Sequence, residues 1–193
     1  MESIRTYWIK NMVCRRCLKV IKHELEEINI EVFSLELGKL TVRTINSTDK
    51  EIDSKVSDVL HTNGFEIAKS EEEKLVEEVK ITLIHLIKEL PMQIKEKTSE
   101  HLASTLHRDY KILSKLFSKN ESTTIEKYFI KLKIEKVKEL IQLQQYSFSD
   151  IAYLLDYSSV NHLSRQFKNT TGISMTDYKN LENWERNFYD EII

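Results

Sequence analysis

Proline and glycine are scarce in this chain: one proline and three glycines occur among 193 residues. Both residues interrupt helices, so their scarcity leans the reading towards ordered helical structure and against disorder. Cysteine is also scarce, and the two present, Cys14 and Cys17, share one CxxC. In a reducing compartment that spacing points to a metal site or redox pair rather than a structural disulfide. No run approaches about 20 apolar residues, which excludes a helix that spans a membrane. The segment MESIRTYWIK holds no apolar stretch of signal-peptide length, so a cytoplasmic protein is expected. No nucleophile and base pair, phosphate loop or three-ligand metal site is visible, which argues against an enzyme.

What is present is charge. Charged residues make up 31% and hydrophobic residues 40%, the balance of a soluble folded protein. The net charge of −2 marks no general polyanion binder, but its distribution is uneven. Between Lys95 and Lys179 there are fourteen Lys or Arg against ten Asp or Glu, a local excess that leans towards nucleic acid.

The periodicity divides the chain near Ser70. Before it, alternation over Arg5 to Ile9 predicts a strand, and Leu18, Val20, Ile21, Leu25 and Ile28 predict a helix. Two alternating runs, Glu31 to Leu37 and Lys39 to Thr44, meet at Gly38 as a hairpin. Ile52, Val56, Val59 and Leu60 then predict a helix ended by Asn63 and Gly64, with a last strand at Phe65 to Ala68. The order is βαββαβ, that of an α+β ferredoxin-like domain over residues 1–69.

From residue 70 to 193 the pattern is all helical. Leu75, Val79, Leu83, Leu86 and Leu90 predict a helix that starts with Ser70 and the acidic Glu71, Glu72 and Glu73, and that ends at Pro91. Two later segments repeat one plan: TSEHLASTLHRDYKILSKLF, Thr98 to Phe117, and SFSDIAYLLDYSSVNHLSRQF, Ser147 to Phe167. Each has an apolar residue followed by Ala (Leu102 and Ala103; Ile151 and Ala152), then Leu106 or Leu155, a polar turn, and an amphipathic helix that ends in Phe. A small Ala lets two steeply crossed helices approach closely, as a helix-turn-helix requires.

DIAYLLDYSSVNHLSRQFKNTTGISMTDYK, from Asp150 to Lys179, resembles the signature segment of the AraC/XylS family, and FIKLKIEKVKEL, Phe129 to Leu140, resembles that family's linking helix. The resemblance runs over roughly residues 72 to 180. It implies a bacterial transcription regulator with two helix-turn-helix units, whose second helices enter successive major grooves of double-stranded DNA. The transcription machinery is then a partner, and a homodimer stays open. In the second reader the candidates are Ser158, Ser159, Asn161, His162 and Arg165, because Asn suits adenine, Arg suits guanine, and serines at a helix start meet phosphate. In the first they are Arg108, Asp109, Lys111, Ile112 and Lys115, with Leu113, Leu116, Phe117, Leu163 and Phe167 expected in the core. Three departures stand out: Asp156 and Ser122 replace family glycines, and Met175 replaces a proline.

Asn11-Met12-Val13-Cys14-Arg15-Arg16-Cys17 resembles the MxCxxC of heavy-metal-associated domains and copper chaperones, and NGFE, Asn63 to Glu66, extends that likeness. The resemblance implies Cu(I) or another soft metal on Cys14 and Cys17, since thiolates at a helix start select such ions. Asn11 departs from the family's glycine, Met12 is expected in the core, and His23 and His61 stand too far off to be ligands. Three readings stay open: a metal sensor, a redox sensor, and a retained fold without chemistry that serves dimer contacts. No cofactor is required by any of them. An alternative for the whole chain is a Cu(I) carrier whose helical half is a platform for partners. The tail, Leu181 to Ile193, is expected to pack on the helical domain through Trp184 and Phe188 rather than on a membrane.

Overall fold

The computed structural model of the chain describes residues 2–12, 15–45, 48–92, 96–181 and 183. The chain forms two compact units, Met1–Ile81 and Thr82–Ile193.

In the first unit the elements run β1 (Glu2–Lys10), α1 (Arg15–Glu27), β2 (Glu31–Glu36), β3 (Lys39–Ile45), α2 (Asp49–Thr62) and β4 (Glu66–Ile67), followed by the first part of α3 (Glu71–Lys88). The strands make one four-stranded sheet in the order β2-β3-β1-β4, with antiparallel pairing throughout. Its inward face carries Tyr7, Ile9, Leu40 and Val42, which join Ile21 and Leu25 of α1 and Ile52, Val56 and Leu60 of α2 in one core. Period-two burial on the strands and helical spacing on α1 and α2 meet there, which fixes the register. Gly38 turns the β2–β3 hairpin at φ +68°, where a side chain would be strained, and a Cβ there would collide with Ile81 of α3.

Two apolar residues of the first helical run lie outside the core, and the second of them falls just past the end of α1. Val20 and Ile28 are exposed, at 42% and 38%, because the buried stripe runs through Ile21 and Leu25 alone. Met12 is buried, as expected for a core residue.

Helix α3 begins as the acidic triplet predicts. The Ser70 hydroxyl accepts from the Glu73 amide, and the Glu73 carboxylate accepts from the Lys69 amide. Its buried stripe, however, is Val76, Val79, Leu83, Ile84 and Ile87, so Leu75, Leu86 and Leu90 are only half-buried. The stripe is rotated by one residue from the expected one, and it includes a pair that no hydrophobic pattern predicts. Lys80 and Glu77 are both buried and bonded at 3.0 Å, and each also holds Asn11: the Asn11 amide donates to Glu77 at 3.1 Å, and Lys80 donates to the Asn11 side chain at 3.3 Å. Such a pair persists when its remaining hydrogen-bonding capacity is met, as Asn11 does here.

The second unit continues with α4 (Thr98–Leu106), α5 (Tyr110–Glu121), α6 (Ile125–Leu143), α7 (Phe148–Leu154), α8 (Val160–Thr171) and α9 (Met175–Lys179). Helix α6 is its axis: Ile125, Tyr128, Leu132, Ile134, Val137, Leu140 and others are buried along it. No helix among the described residues is long and apolar enough to cross a membrane. The expected tail packing through Trp184 and Phe188 lies outside the described residues.

Candidate nucleic-acid interface

Two helix pairs, α4–α5 and α7–α8, repeat the same local chemistry. Each first helix ends with a residue in the left-handed region, His107 at φ 52° and Asp156 at φ 54°. In each turn an alanine carbonyl five residues back closes the helix: Ala103 accepts from the Arg108 amide at 3.2 Å, and Ala152 from the Tyr157 amide at 2.9 Å. The two alanines so marked are those that the sequence places at the crossing. Asp156 therefore adopts the conformation that a family glycine would supply, and Ser122, at φ 53°, does so after α5.

Each second helix opens on a capping side chain. Asp109 accepts from the Lys111 amide at 2.7 Å, and Ser159 accepts from the His162 amide at 3.1 Å. Counted from the alanine to the capping residue, the second turn is one residue longer, and Ser158 in it bonds the His162 ring at 3.2 Å. Leu113 and Phe117 anchor α5, and Leu163 and Phe167 anchor α8, all fully buried. Leu116, expected beside them, is half-buried, since it stands a quarter turn off that stripe.

That anchoring turns the candidate readers outward. Arg108, Asp109, Lys111, Ile112 and Lys115 on the first pair are exposed, and so are Ser158, Ser159, Asn161, His162 and Arg165 on the second. Ile112 is 51% exposed, an apolar side chain placed among cations, which suits contact with a thymine methyl. Among the described residues, the side chains of Lys111, Lys115, Asn161 and Arg165 make no protein hydrogen bond or ion pair, so their donors are free for another molecule. Asp109 and Ser159 are instead engaged as caps, which assigns them a structural task in the protein itself.

Supporting residues fix the two pairs. Ser147 and Asp150 form a capping box at α7, and Ser174 and Asp177 form another at α9; in both, the serine bonds hold the carboxyl below its ordinary range. Met175, where the family has proline, is the first residue of α9 and is buried, so its side chain fills a place that its backbone does not restrict. The Tyr178 hydroxyl accepts from Gln142 of α6 at 2.7 Å, and its ring meets that of Phe167 at 5.6 Å.

Sequence reasoning passed over three side chains beside the readers. Tyr110, the first residue of α5, donates to Glu126 of α6 at 3.0 Å, and burial with that carboxylate pushes its hydroxyl up to about 12. Tyr157 donates to Gln166 of α8 at 2.6 Å, and burial raises its hydroxyl as well. Lys133 of α6 is largely covered, and burial lowers it to about 8, with Asp156 opposing. The available signal was weak, because FIKLKI holds two lysines, and of these Lys131 is exposed and Lys133 is half-buried.

In the first unit, Cys17 stands in the first turn of α1, half-buried and not in a disulfide. Cys14 lies outside the described residues, and His23 and His61 are exposed. No group of three His, Cys, Asp or Glu that could hold a metal ion occurs among the described residues.

Residues 102–180 match a family model described as a helix-turn-helix domain, a span that covers both helix pairs but less than half of the chain. No protein of curated function matches the sequence. Among solved structures, the chain is similar to a DNA-binding transcriptional dual regulator from Escherichia coli K-12, at 22% identity and a TM-score of 0.46, over 54% of this chain and 88% of that one. It is also similar to the transcriptional regulator CdpR from Pseudomonas aeruginosa, at 12% identity and a TM-score of 0.44, over 83% of this chain and 51% of that one. Both likenesses are loose, and neither fixes a function.

Proposed function

We propose that the chain is a sequence-specific DNA-binding transcription regulator of AraC/XylS type, in which α5 and α8 read successive major grooves. The observation that carries this is the repeated pair of second helices, each anchored by a buried Leu and Phe and each presenting uncommitted cationic or amide donors outward. Arg165 and Asn161 are placed for guanine and adenine edges, Lys111 and Lys115 for bases or phosphates of the neighbouring groove, and Ser158 and His162 for phosphate. A cytoplasmic address and the transcription machinery as a partner belong to this reading. A homodimer is compatible with it and is not required.

For the first unit we read a ferredoxin-like, heavy-metal-associated-like sensor. The strand order β2-β3-β1-β4 and the place of Cys17 in the first turn of α1 support it. Cys14 and Cys17 would hold a soft ion such as Cu(I), whose affinity for thiolates is the only chemistry the site supplies. The ties from Asn11 to Glu77 and Lys80 favour a signalling role, because they join the residue next to this loop to α3. The Cu(I) carrier is the alternative from another class. A gel shift with operator DNA against excess nonspecific DNA separates them: the regulator prefers the operator, whereas a carrier shows no preference.

A further inference from the structure

A cavity of about 380 Å³ lies within the helical unit, and both helix pairs and α6 contribute to its wall. That volume falls in the range that takes small organic ligands, ~300 to 1,000 Å³. Much of the wall is apolar or aromatic: Met92, Ile125, Phe129 and Ile130, with the rings of Tyr110 and Tyr157.

Its polar groups are not equivalent. Glu126 and Gln166 already accept from Tyr110 and Tyr157. Lys133 is different. Its ammonium lies 3.9 Å from the centroid of the Tyr157 ring and 5.8 Å from that of Phe129, and it makes no hydrogen bond or ion pair with any described residue. A largely covered cation beside an open volume has lost much of its hydration, and the nearby Asp156 acts on it only through space, without a direct ion pair. Thr98 and Ser99 add hydroxyl groups at the start of α4, whose N-cap Lys97 makes no side-chain capping bond.

We propose that this cavity binds a small aromatic carboxylic acid, with its carboxylate on the Lys133 ammonium and its ring against Phe129, Tyr110 and Tyr157. A cationic ligand is disfavoured, because Lys133 already holds the Tyr157 face and repels a second positive charge. A neutral ligand leaves the ammonium unpaired. DNA phosphate is also anionic, yet it brings nothing apolar to fill the walls. Burial lowers the proton affinity of Lys133 and Asp156, on the same cavity, raises it, so the ammonium is short of hydration and has no direct ion partner. Bound acid touches α5, α6 and the α7–α8 turn at once, so it fastens the two helix pairs to each other. The binding stands independently of the DNA reading, whereas its effect on operator affinity rests on that reading.

The test is calorimetry on the full chain without DNA, using benzoate, phenylacetate and indole-3-acetate, with phenethylamine and benzyl alcohol as controls. One acid per chain is expected, with no heat from the amine. Lys133→Met should weaken acid binding by at least about tenfold, the loss of a charge-assisted contact. Ile130→Trp, which fills the cavity and keeps the lysine, should remove binding and serves if Lys133→Met does not fold. No acid binding, equal binding by the amine, or unchanged binding by Lys133→Met overturns the proposal. It is overturned equally if DNA, and none of the acids, shields Lys133 from chemical acetylation, since the lysine is then a phosphate contact. Because no DNA is present in the titrations, a chain that fails to bind any operator can still pass them.

Discussion

The Lys133 ammonium sits 3.9 Å from the centroid of the Tyr157 ring, which ties the long helix α6 to the turn that opens the second reader. The contact brings a charge under partial cover, and burial lowers its pKa from 10.5 to about 8 while Asp156 pulls it back up. Between those two values the unfolded chain holds a proton that the folded chain has released. Stability from this group therefore rises with pH across that window, and below it the covered ammonium is a constant penalty. Lys133→Met should stabilise the protein near neutral pH by roughly 1 to 3 kcal/mol, and the gain should shrink towards about pH 10. Thermal melts at the two pH values check this. A gain of the same size at both, or a loss at neutral pH, contradicts the account.

The capping boxes should set the acid limb of stability. The carboxyls of Asp150 and Asp177 are held below their ordinary range by Ser147 and Ser174. Their contribution is complete above the unfolded carboxyl pKa and disappears as pH falls through the lower, folded value. Ser147→Ala should cost about 1 kcal/mol at neutral pH, the usual worth of an N-cap, and should lose most of that effect in acid. Denaturant midpoints at neutral and acid pH measure it.

Arg165 is exposed and makes no hydrogen bond or ion pair among the described residues, so its removal should leave the fold intact. Arg165→Ala should weaken operator binding by about 1 to 3 kcal/mol and relax sequence choice at one base pair. Fluorescence anisotropy with the operator and its single-base variants, beside a melting curve, reads both effects. Operator affinity equal to that of the parent chain removes Arg165 from the reader.

Replacing both cysteines tests the first unit. The double variant Cys14→Ser with Cys17→Ser should lose tight Cu(I) binding in competition with a chromogenic chelator, and its far-ultraviolet dichroism should be unchanged. Equal copper stoichiometry in the two proteins would end the metal reading and leave the fold as a contact surface.

Much of this was legible in the sequence because it rests on periodicity and turn chemistry. Gly38, Asn63 and Gly64 marked their turns, and Ala103 and Ala152 marked the helix crossings. Leu113, Phe117, Leu163 and Phe167 fell where the helical stripe put them. What periodicity cannot weigh is a long polar side chain that is covered by its neighbours. Lys80 and Glu77 lie outside any hydrophobic pattern, yet on α3 each offsets the other's charge with Asn11 as a third partner. Lys133 carries no such signal either, since its ring contact depends on Tyr157, which is 24 residues away in sequence and in the turn of the second helix pair. The rotation of the α3 stripe by one residue has the same origin. Once Lys80 and Glu77 are accommodated inside, Val76 and Ile84 turn inward with them and Leu75 turns part of the way out.

The most direct measurement of the central claim is selection of binding sites from random double-stranded DNA by the full chain, followed by footprinting of the winning sequence. The account predicts two protected major-groove segments on one face of the duplex, centred about 10 to 10.5 base pairs apart. Lys115→Ala should weaken one segment and Arg165→Ala the other. A single protected segment, or selected DNA that competes no better than nonspecific DNA, would contradict it.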